Sequence, residues 1–291
     1  MKVYKKPFLV LEAGCNHNGD FELAKKMVLM AKEVGADAIK FQKRNNHECL
    51  TSEQRNSPHP DPKNSYGKTY GEHRDYLEFS IAQHRELKEL SDSIGIIYSS
   101  SVWDLTSAKE IASLSPKYIK VPSSQNNNYE LLEYLFKHYE GDIQISLGMT
   151  TKEEEQKIIE LAKENNRLSD IVLLACTSGY PLKPEESYLL EISRLKKCYG
   201  KKVKKIGLSG HYTNTALDIA GFVLGAEVIE RHFTFDKQFK GTDHSSSLEP
   251  NEVVKLINDL KDVSAALARK NKIPNIEKIQ RAKLKHKVLS D

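Results

Sequence analysis

Apolar and polar positions along the chain follow two alternating periods. Short runs rich in Val, Ile, Leu and Tyr are separated by longer segments in which apolar residues recur every three or four positions. The short runs predict eight strands, at residues 8–12, 37–42, 96–100, 118–121, 143–146, 171–176, 205–209 and 228–232. Short, nearly continuous apolar runs between helical segments are typical of buried parallel strands.

The segments between the predicted strands carry helix signals. The first places Met27 and Val34 on one face and ends at Gly35. Residues 151–154 have the form of a capping box, and the last long helix is predicted to begin at Pro250. Eight strand–helix units in about 250 residues predict an α/β protein with a closed (β/α)8 barrel, the TIM barrel. An open doubly wound sheet would have six or so strands and a glycine-rich first turn.

Residues 43–79 interrupt this alternation between the second strand and the second helix. The segment is rich in Asn, His, Pro, Tyr and charge, and a connection of this length is usually functional or disordered. We interpret it as a substrate lid over the mouth of the barrel. A mobile insertion is the alternative.

Composition narrows the class of protein. The 291 residues are 39% hydrophobic and 29% charged, which fits one barrel domain at 1–270 followed by a basic tail at 271–291. No run reaches the roughly 18 apolar residues of a membrane span, and the basic start leads into too short an apolar stretch for a signal peptide. The four cysteines are scattered without a paired spacing, which fits a reducing compartment, so we predict a cytoplasmic protein. Because no membrane span is indicated, we also predict that it does not associate with membranes.

The formal net charge of +4 comes partly from basic residues near the end of the chain. These are Arg269, Lys270, Lys272, Lys278, Arg281, Lys283, Lys285 and Lys287. Because the run lacks interleaved aromatic residues, a solvated helical face explains it better than a nucleic-acid site. We predict no nucleic-acid partner.

Polar side chains follow nearly every predicted strand. They are Glu12 with Asn16, His17 and Asn18; Lys40 and Gln42; Ser99, Ser100 and Ser101; Lys120 with Ser123, Ser124 and Gln125; Ser146; Thr177 and Ser178; Ser209 and His211; and His232 and Thr234. The carboxyl ends of barrel strands meet at one face, and polar groups there are costly to bury unpaired. The sequence therefore predicts one polar cavity at this face.

Two kinds of chemistry occur in this set. Lys40 and Lys120 supply positive charge and the serines supply hydroxyl donors, a combination that suits an anion such as a phosphate. His211 and His232 end neighbouring strands and predict an open divalent-metal site. Water, substrate oxygens or a carboxylate such as Glu12 or Asp243 would complete that site.

An ordered set of motifs resembles a known family. The motifs are EAGxNHNGD at 12–20, GADAIKFQ at 35–42, SxGM at 146–149, CTSxYP at 176–181, GLSGH at 207–211, ERHFT at 230–234 and GxDHxxSLxP at 241–250. Together they resemble the sialic acid (N-acetylneuraminate) synthases over residues 8–268. The resemblance implies condensation of phosphoenolpyruvate with the aldehyde of an N-acylated sugar, which gives a 2-keto-3-deoxy sugar acid and inorganic phosphate. It also implies a divalent metal, Mn²⁺ or Mg²⁺, and a homodimer or higher homo-oligomer.

The resemblance also implies roles for individual residues. His211 and His232 match the metal ligands, and the phosphoenolpyruvate contacts match Lys40, Lys120, Ser123, Ser146, Ser178 and Ser209, with Ser100 at a further hydroxyl position. Gln42, Tyr180 and Asp243 match positions facing the sugar. Glu12 matches a carboxylate that handles the proton of the attacking water or stabilises positive charge, so we assign Glu12, His232 and Asp243 as the catalytic set.

Two departures from the family pattern bear on the acceptor sugar. Gln125 stands at a position that is usually acidic and contacts the sugar. The chain also ends before the family's antifreeze-like domain, which presents an arginine to the sugar's acyl group. The acceptor is therefore either a sugar without the usual N-acetyl group or one held by the long segment. The residues of that segment that could substitute are His47, Tyr66, Tyr70, His73 and Arg74. A metal-dependent aldolase of the same fold and a non-catalytic sugar-binding barrel remain alternative interpretations.

Overall fold

The computed structural model describes residues 5–286, and its centre is a closed sheet of eight parallel strands in sequential order. The strands are β1 Phe8–Gly14, β2 Ala38–Lys43, β3 Ile97–Val102, β4 Tyr118–Val121, β5 Asp142–Ser146, β6 Ile171–Cys176, β7 Lys205–Gly210 and β8 Val228–His232. Each predicted strand is present, and its bounds lie within two residues of the prediction. The predicted (β/α)8 barrel is confirmed.

The described residues form twelve α-helices in addition to the sheet. They are α1 Phe21–Glu33, α2 Asn46–Cys49, α3 Ser52–Asn56, α4 Tyr70–Tyr76, α5 Ile81–Ile94, α6 Leu105–Ser113, α7 Tyr129–His138, α8 Lys152–Glu164, α9 Leu190–Tyr199, α10 Ala216–Leu224, α11 Pro250–Ala266 and α12 Asn275–Leu284. The predicted capping box is confirmed at α8, where the Thr151 hydroxyl accepts from the Glu154 amide and the Glu154 carboxylate from the Thr151 amide. Pro250 begins α11, as predicted.

The barrel closes where β1 pairs with both β2 and β8. In this register Glu12 lies beside Lys40 on one side and beside His232 on the other. Three residues far apart in sequence therefore share one level of the barrel because of strand pairing alone. Their side chains project to the same side of the sheet, since opposed residues in register share a face.

Side chains inside the barrel change from apolar to polar along the strands. The lower layer is an apolar cluster made of Val10, Ala38, Tyr118, Val172, Leu174 and Val228. Two residues further along the respective strands come Glu12, Lys40, Lys120 and Glu230. Because alternate residues of a strand face the same side, the apolar layer closes the barrel from below and the charged layer forms the floor of its mouth.

The segment after the barrel contains a further helix. Helix α12 lies within the predicted basic tail and has no buried residue. Lys287 and the rest of the tail to residue 291, like residues 1–4, lie outside the described residues. Among the helices of residues 5–286, none has the length and apolar character needed to cross a membrane.

Candidate active site

A cavity of about 320 Å³ opens among the carboxyl ends of the strands, and we call it the inner cavity. The predicted site residues that line it are Glu12, Lys40, Gln42, Lys120, Ser123, Ser146, Ser178, Tyr180, Ser209, His211 and His232. The lining does not include Ser100, Gln125 or Asp243. The barrel thus brings most of the predicted residues to one place.

A charged cluster forms the floor of the inner cavity. The Lys40 ammonium contacts the Glu12 carboxylate, donates to the Ser101 hydroxyl at 2.7 Å and lies 3.7 Å from Glu230 Oε2. The Lys120 ammonium lies 2.5 Å from Glu230 Oε1. All four charged side chains are buried, so two carboxylates balance two ammonium groups away from water.

The ionisation of this cluster is set by burial and by neighbouring charge. Burial alone would raise the pKa of Glu230, but the Lys120 and Lys40 ammonium groups outweigh it and lower the pKa to about 2. Burial lowers the pKa of Lys40 to about 7; the Glu230 charge opposes this effect and Lys120 adds to it. A bound anion near Lys40 would act in the same direction as the Glu230 charge and stabilise the protonated form of this lysine.

Hydroxyl groups converge above the cluster. The Ser209 hydroxyl donates to Glu230 Oε1 at 3.0 Å, and the Ser146 hydroxyl is buried without a partner in residues 5–286. A Cβ atom at Gly148 would lie 2.5 Å from the Ser178 hydroxyl and 2.7 Å from that of Ser123. Glycine at this position therefore leaves the space in which these two hydroxyls can reach a ligand.

The prediction that Ser100 lines the pocket is wrong, because the next residue takes that position. On β3 the Ser101 hydroxyl accepts from Lys40 inside the barrel. Ser100 has the opposite parity, and its hydroxyl lies near that of Tyr98, which contacts His84 of α5. Ser100 thus faces the helical layer and Ser101 faces the cavity.

Gln125 is also placed away from the predicted contact. It ends the short 3-10 turn Ser123–Gln125 after β4, and its side-chain oxygen accepts from the Asn128 amide at 3.4 Å. It lines neither the inner cavity nor the chamber described below. The turn directs Ser123 into the cavity and leaves Gln125 outside it.

The two imidazoles adjoin at the edge of the inner cavity. The centroids of the His211 and His232 rings are 5.5 Å apart, and the Tyr180 ring lies 4.3 Å from His211. Burial, reinforced by the charge of His232, lowers the pKa of His211 to about 3, and burial also lowers the pKa of His232. Both rings are therefore neutral near pH 7, the form in which imidazole binds a metal.

The donor atoms of this pair fit a divalent cation. His211 Nδ1 lies 3.1 Å from the Thr177 carbonyl, so its N–H faces that oxygen and leaves Nε2 available. His232 Nδ1 is buried and has no partner within the described chain. No group of three or more His, Cys, Asp and Glu side chains in residues 5–286 is arranged to hold a metal. The protein would thus supply two nitrogens, and water or substrate oxygens would complete the coordination.

A second cavity of about 630 Å³ adjoins the first, and we call it the outer chamber. The two share Gln42, Trp103, Tyr180 and His232. Asp243 lines the outer chamber, where the neighbouring His232 ring and the Thr242 hydroxyl outweigh burial and lower the pKa of this carboxyl. Of the predicted sugar-facing residues, Gln42 and Tyr180 therefore lie between the two cavities, and Asp243 belongs to the outer chamber alone.

Residues 43–79 form one wall of the outer chamber. They fold into α2, α3, a short 3-10 turn and α4, and contribute Arg44, Asp61, Asn64, Tyr66, His73, Arg74 and Leu77 to the lining. The Tyr66 hydroxyl donates to the Lys240 carbonyl at 2.6 Å, and the Gly241 N–H donates to Asn64 Oδ1 at 2.9 Å. These two bonds join the segment to the loop after β8 across the chamber. The other two candidates, His47 and Tyr70, do not line it.

Several residues of the two cavities were not indicated by the sequence, among them Glu230, Arg44 and Trp103. Glu230 precedes His232 by two residues, so strand parity could have placed it inside the barrel. Arg44 and Trp103 follow β2 and β3 directly, and the Arg44 guanidinium stacks 4.2 Å from the centroid of the Trp103 ring. No motif or spacing indicated this stack, because it depends on the path of two loops.

Comparisons with known proteins agree with this geometry. The model of the NeuB family matches residues 27–272. The chain is 39% identical over 265 residues to the human N-acetylneuraminate-9-phosphate synthase. The aligned residues cover 91% of this chain and 72% of the human protein. It is 33% identical over 264 residues to the N,N'-diacetyllegionaminic acid synthase of Campylobacter jejuni, covering 90% of this chain and 78% of that protein.

A solved structure shows the same relationship in three dimensions. The N-acetylneuraminic acid synthetase of Leptospira borgpetersenii, crystallised with citrate, superposes with a TM-score of 0.80 at 27% identity. The match covers 97% of this chain and 94% of that one. The resemblance noted in the sequence is thereby confirmed, and the chain belongs to the NeuB family.

Proposed function

We propose that this protein is a phosphoenolpyruvate-dependent synthase that joins phosphoenolpyruvate to the aldehyde of an N-acylated sugar. The products are a sialic-acid-like 2-keto-3-deoxy sugar acid and inorganic phosphate. The observation that carries the proposal is the inner cavity of a NeuB-family barrel, where Lys40, Lys120 and several serine hydroxyls adjoin a pair of neutral imidazoles. One part of this site suits a phosphorylated anion and the other a carbonyl oxygen.

In this proposal the strand residues hold phosphoenolpyruvate. Lys40 and Lys120 donate charge-assisted hydrogen bonds to its oxygens, and the hydroxyls of Ser123, Ser146 and Ser178 donate further ones. The methylene carbon attacks the aldehyde carbon, and water adds to the adjacent carbon. The tetrahedral intermediate then expels phosphate by cleavage of the carbon–oxygen bond. Glu12, whose carboxylate contacts Lys40, would take the proton of the water, and it is our acid/base candidate.

In this proposal the acceptor sugar binds in the outer chamber, with its aldehyde toward the inner cavity. His211 and His232 would hold Mn²⁺ or Mg²⁺, which when bound supplies Lewis acidity to the aldehyde oxygen. Asp243, Gln42 and Tyr180 would orient the sugar where the two cavities meet. We propose Glu12, His232 and Asp243 as the catalytic residues on this basis.

Location and assembly are part of the same proposal. Four free cysteines support a reducing compartment, so we propose that the protein works in the cytoplasm. We also propose a homodimer or higher homo-oligomer, by analogy with the family. Light scattering of the purified protein would test the assembly directly.

The test is a coupled measurement of product and phosphate. The purified protein is incubated with Mn²⁺ or Mg²⁺, phosphoenolpyruvate and a panel of N-acylated and plain aldoses. One 2-keto acid and one phosphate should form per phosphoenolpyruvate consumed, and chelation should abolish both. An aldolase would use pyruvate without releasing phosphate, and a sugar-binding barrel would turn over nothing. Glu12→Gln should lower turnover while leaving phosphoenolpyruvate binding measurable.

A further inference from the structure

The pairing of β7 with β8 stops one residue short of the two imidazoles. The last paired residues are Gly210 and Arg231, and β7 ends at Gly210. His232 is still paired on its other side with Glu12 of β1. His211 lies just beyond the end of its strand. The register of the barrel therefore fixes His232, and contacts outside the sheet must fix His211.

A buried triad between β8 and α10 supplies such a contact. Arg231 precedes His232 on β8, so its side chain points away from the barrel interior and toward the helices. Its guanidinium pairs with the Asp218 carboxylate and donates to the Tyr212 carbonyl. The Tyr212 hydroxyl donates to the same carboxylate at 2.7 Å. All three side chains are buried, so water does not compete for these bonds.

The triad joins the two chain segments that carry the imidazoles. Tyr212 directly follows His211, and Arg231 directly precedes His232. The bond from the guanidinium to the Tyr212 carbonyl therefore ties the chain after β7 to β8. The guanidinium carbon also lies 4.4 Å from the centroid of the Tyr212 ring. A shift of His211 relative to His232 would break both contacts.

Gly210 leaves the space that the Tyr212 ring occupies. A Cβ atom at Gly210 would lie 2.7 Å from both Cζ and the hydroxyl oxygen of Tyr212, closer than side chains approach one another. The glycine before His211 in the GLSGH motif thus serves the triad. It lines neither the inner cavity nor the outer chamber, so a substrate contact does not explain it.

We propose that Arg231, Asp218 and Tyr212 are positioning residues of the metal site, which hold His211 at the separation from His232 that one divalent cation requires. This inference rests on the proposed function, which assigns the two imidazoles to the metal. No third His, Cys, Asp or Glu of residues 5–286 is arranged with them, so misplacement of one ring has no substitute. Metal ligands must be held within about 0.5 Å of their working geometry, and the residues behind them provide this.

The experiment measures Mn²⁺ binding directly, without an acceptor sugar. Tyr212→Phe removes the hydroxyl bond to Asp218 and leaves the ion pair of the triad in place. Titration calorimetry should show a Kd for Mn²⁺ that is about fivefold higher, because one hydrogen bond of the triad is lost. The EPR spectrum of the bound ion should change as well. Arg231→Lys keeps the charge but not the forked contact, and it should raise Kd by roughly 10- to 100-fold.

Tyr98→Phe is the matched control. The Tyr98 hydroxyl lies 2.7 Å from His84 Nδ1 between β3 and α5, and the Tyr98 and Tyr212 side chains are equally buried. Urea unfolding should show a comparable loss of stability in both variants, but Tyr98→Phe should leave Mn²⁺ binding unchanged. Equal weakening of Mn²⁺ binding by both variants would indicate a general loss of rigidity and refute the positioning role. Unaltered Mn²⁺ binding by Tyr212→Phe would refute it too.

Binding and turnover together separate this inference from the proposed function. Mn²⁺ binding that depends on Tyr212, in a protein that consumes no phosphoenolpyruvate, would support the inference and refute the synthase. Turnover by a Tyr212→Phe variant with unaltered metal affinity would do the reverse. His211→Ala should abolish the measured binding. If it does not, the ion lies elsewhere and the positioning role is overturned.

Discussion

The inner cavity and the outer chamber adjoin, but their walls differ in origin and in charge. Strand ends and the short turns after them build the inner cavity, and its lysines are balanced by Glu12 and Glu230. Loop residues build most of the outer chamber, where Arg74 has no ion-pair partner among the described residues.

This difference separates two tasks. Residues on paired strands are fixed by the register of the barrel, as Glu12 is between Lys40 and His232. Residues fixed in this way suit the chemical steps that are the same for every acceptor sugar. Loops can change in sequence without disturbing the sheet, which suits the choice of acceptor. If this division holds, changes in the inner cavity abolish the reaction, and changes in the outer chamber redirect it.

The largest effect is expected for Lys120→Met. This change removes a positive charge from the inner cavity and leaves Glu230 with only the more distant Lys40 ammonium. Because both the anion and the cluster depend on this charge, kcat/KM for phosphoenolpyruvate should fall by about 1,000-fold or more with every acceptor. Steady-state kinetics measures the loss, and circular dichroism verifies that the variant is folded.

Lys204→Met is the matched control for this variant. Lys204 lies just before β7, at the opposite end of the barrel, and pairs with Asp142 at 2.6 Å on the surface. An exposed pair contributes at most about 1 kcal/mol to stability, and this one is remote from both cavities. Its activity should match that of the unaltered protein. If Lys120→Met lowers kcat/KM for phosphoenolpyruvate by less than tenfold, the inner cavity is not the site of the reaction.

A second prediction concerns acid stability. The pKa of Glu230 falls from its ordinary value of 4.5 to about 2 on folding. A lowered carboxyl pKa stabilises the fold fully above 4.5, and this contribution is lost as the pH falls toward 2. The difference in unfolding free energy between the unaltered protein and Glu230→Gln should therefore shrink by about 3 kcal/mol from pH 6 to pH 2. Urea unfolding at several pH values measures it.

The corresponding variant in the outer chamber is Arg74→Met, studied by the same urea unfolding at several pH values. A guanidinium stays charged throughout this pH range, so the effect of Arg74→Met on unfolding free energy should not vary with pH. An effect that varied as strongly as that of Glu230→Gln would mean that the two cavities share one electrostatic network. The contrast drawn between them would then fail.

The barrel and most of the inner cavity could be predicted from sequence because both follow strand periodicity. The apolar runs located the strands, and the residues that end them include Lys40, Lys120 and His232. The error at Ser100 arose within a run of three serines. Because all three residues are identical, the sequence does not show which of them face the barrel interior and which face the helices. Counting alternate residues from Lys40 through the pairing of β2 with β3 identifies Ser101 instead, but this register is known only from the fold.

The outer chamber could be predicted only in outline. The length and composition of residues 43–79 predicted a lid. Of its residues named as possible sugar contacts, Tyr66, His73 and Arg74 line the chamber, and His47 and Tyr70 do not. The stack of Arg44 and Arg74 on Trp103 was not predicted, because it joins two loops whose paths no local pattern determines. The placement of Gln125 failed for a similar reason, since the direction of a short turn decides it.

The smallest expected effect tests whether the segment 43–79 serves the acceptor alone. Tyr66→Phe removes the hydrogen bond to the Lys240 carbonyl and keeps the ring stacked 5.0 Å from that of Tyr76. Loss of one such bond weakens closure of the chamber by about 1 kcal/mol, so KM for the acceptor should rise about fivefold. KM for phosphoenolpyruvate should stay unchanged in the same steady-state measurements. Tyr134→Phe, on α7 and outside both cavities, is the control and should alter neither constant. An equal rise in both constants for Tyr66→Phe would show that the segment also governs the inner cavity, since a bond confined to the outer chamber cannot weaken phosphoenolpyruvate binding otherwise.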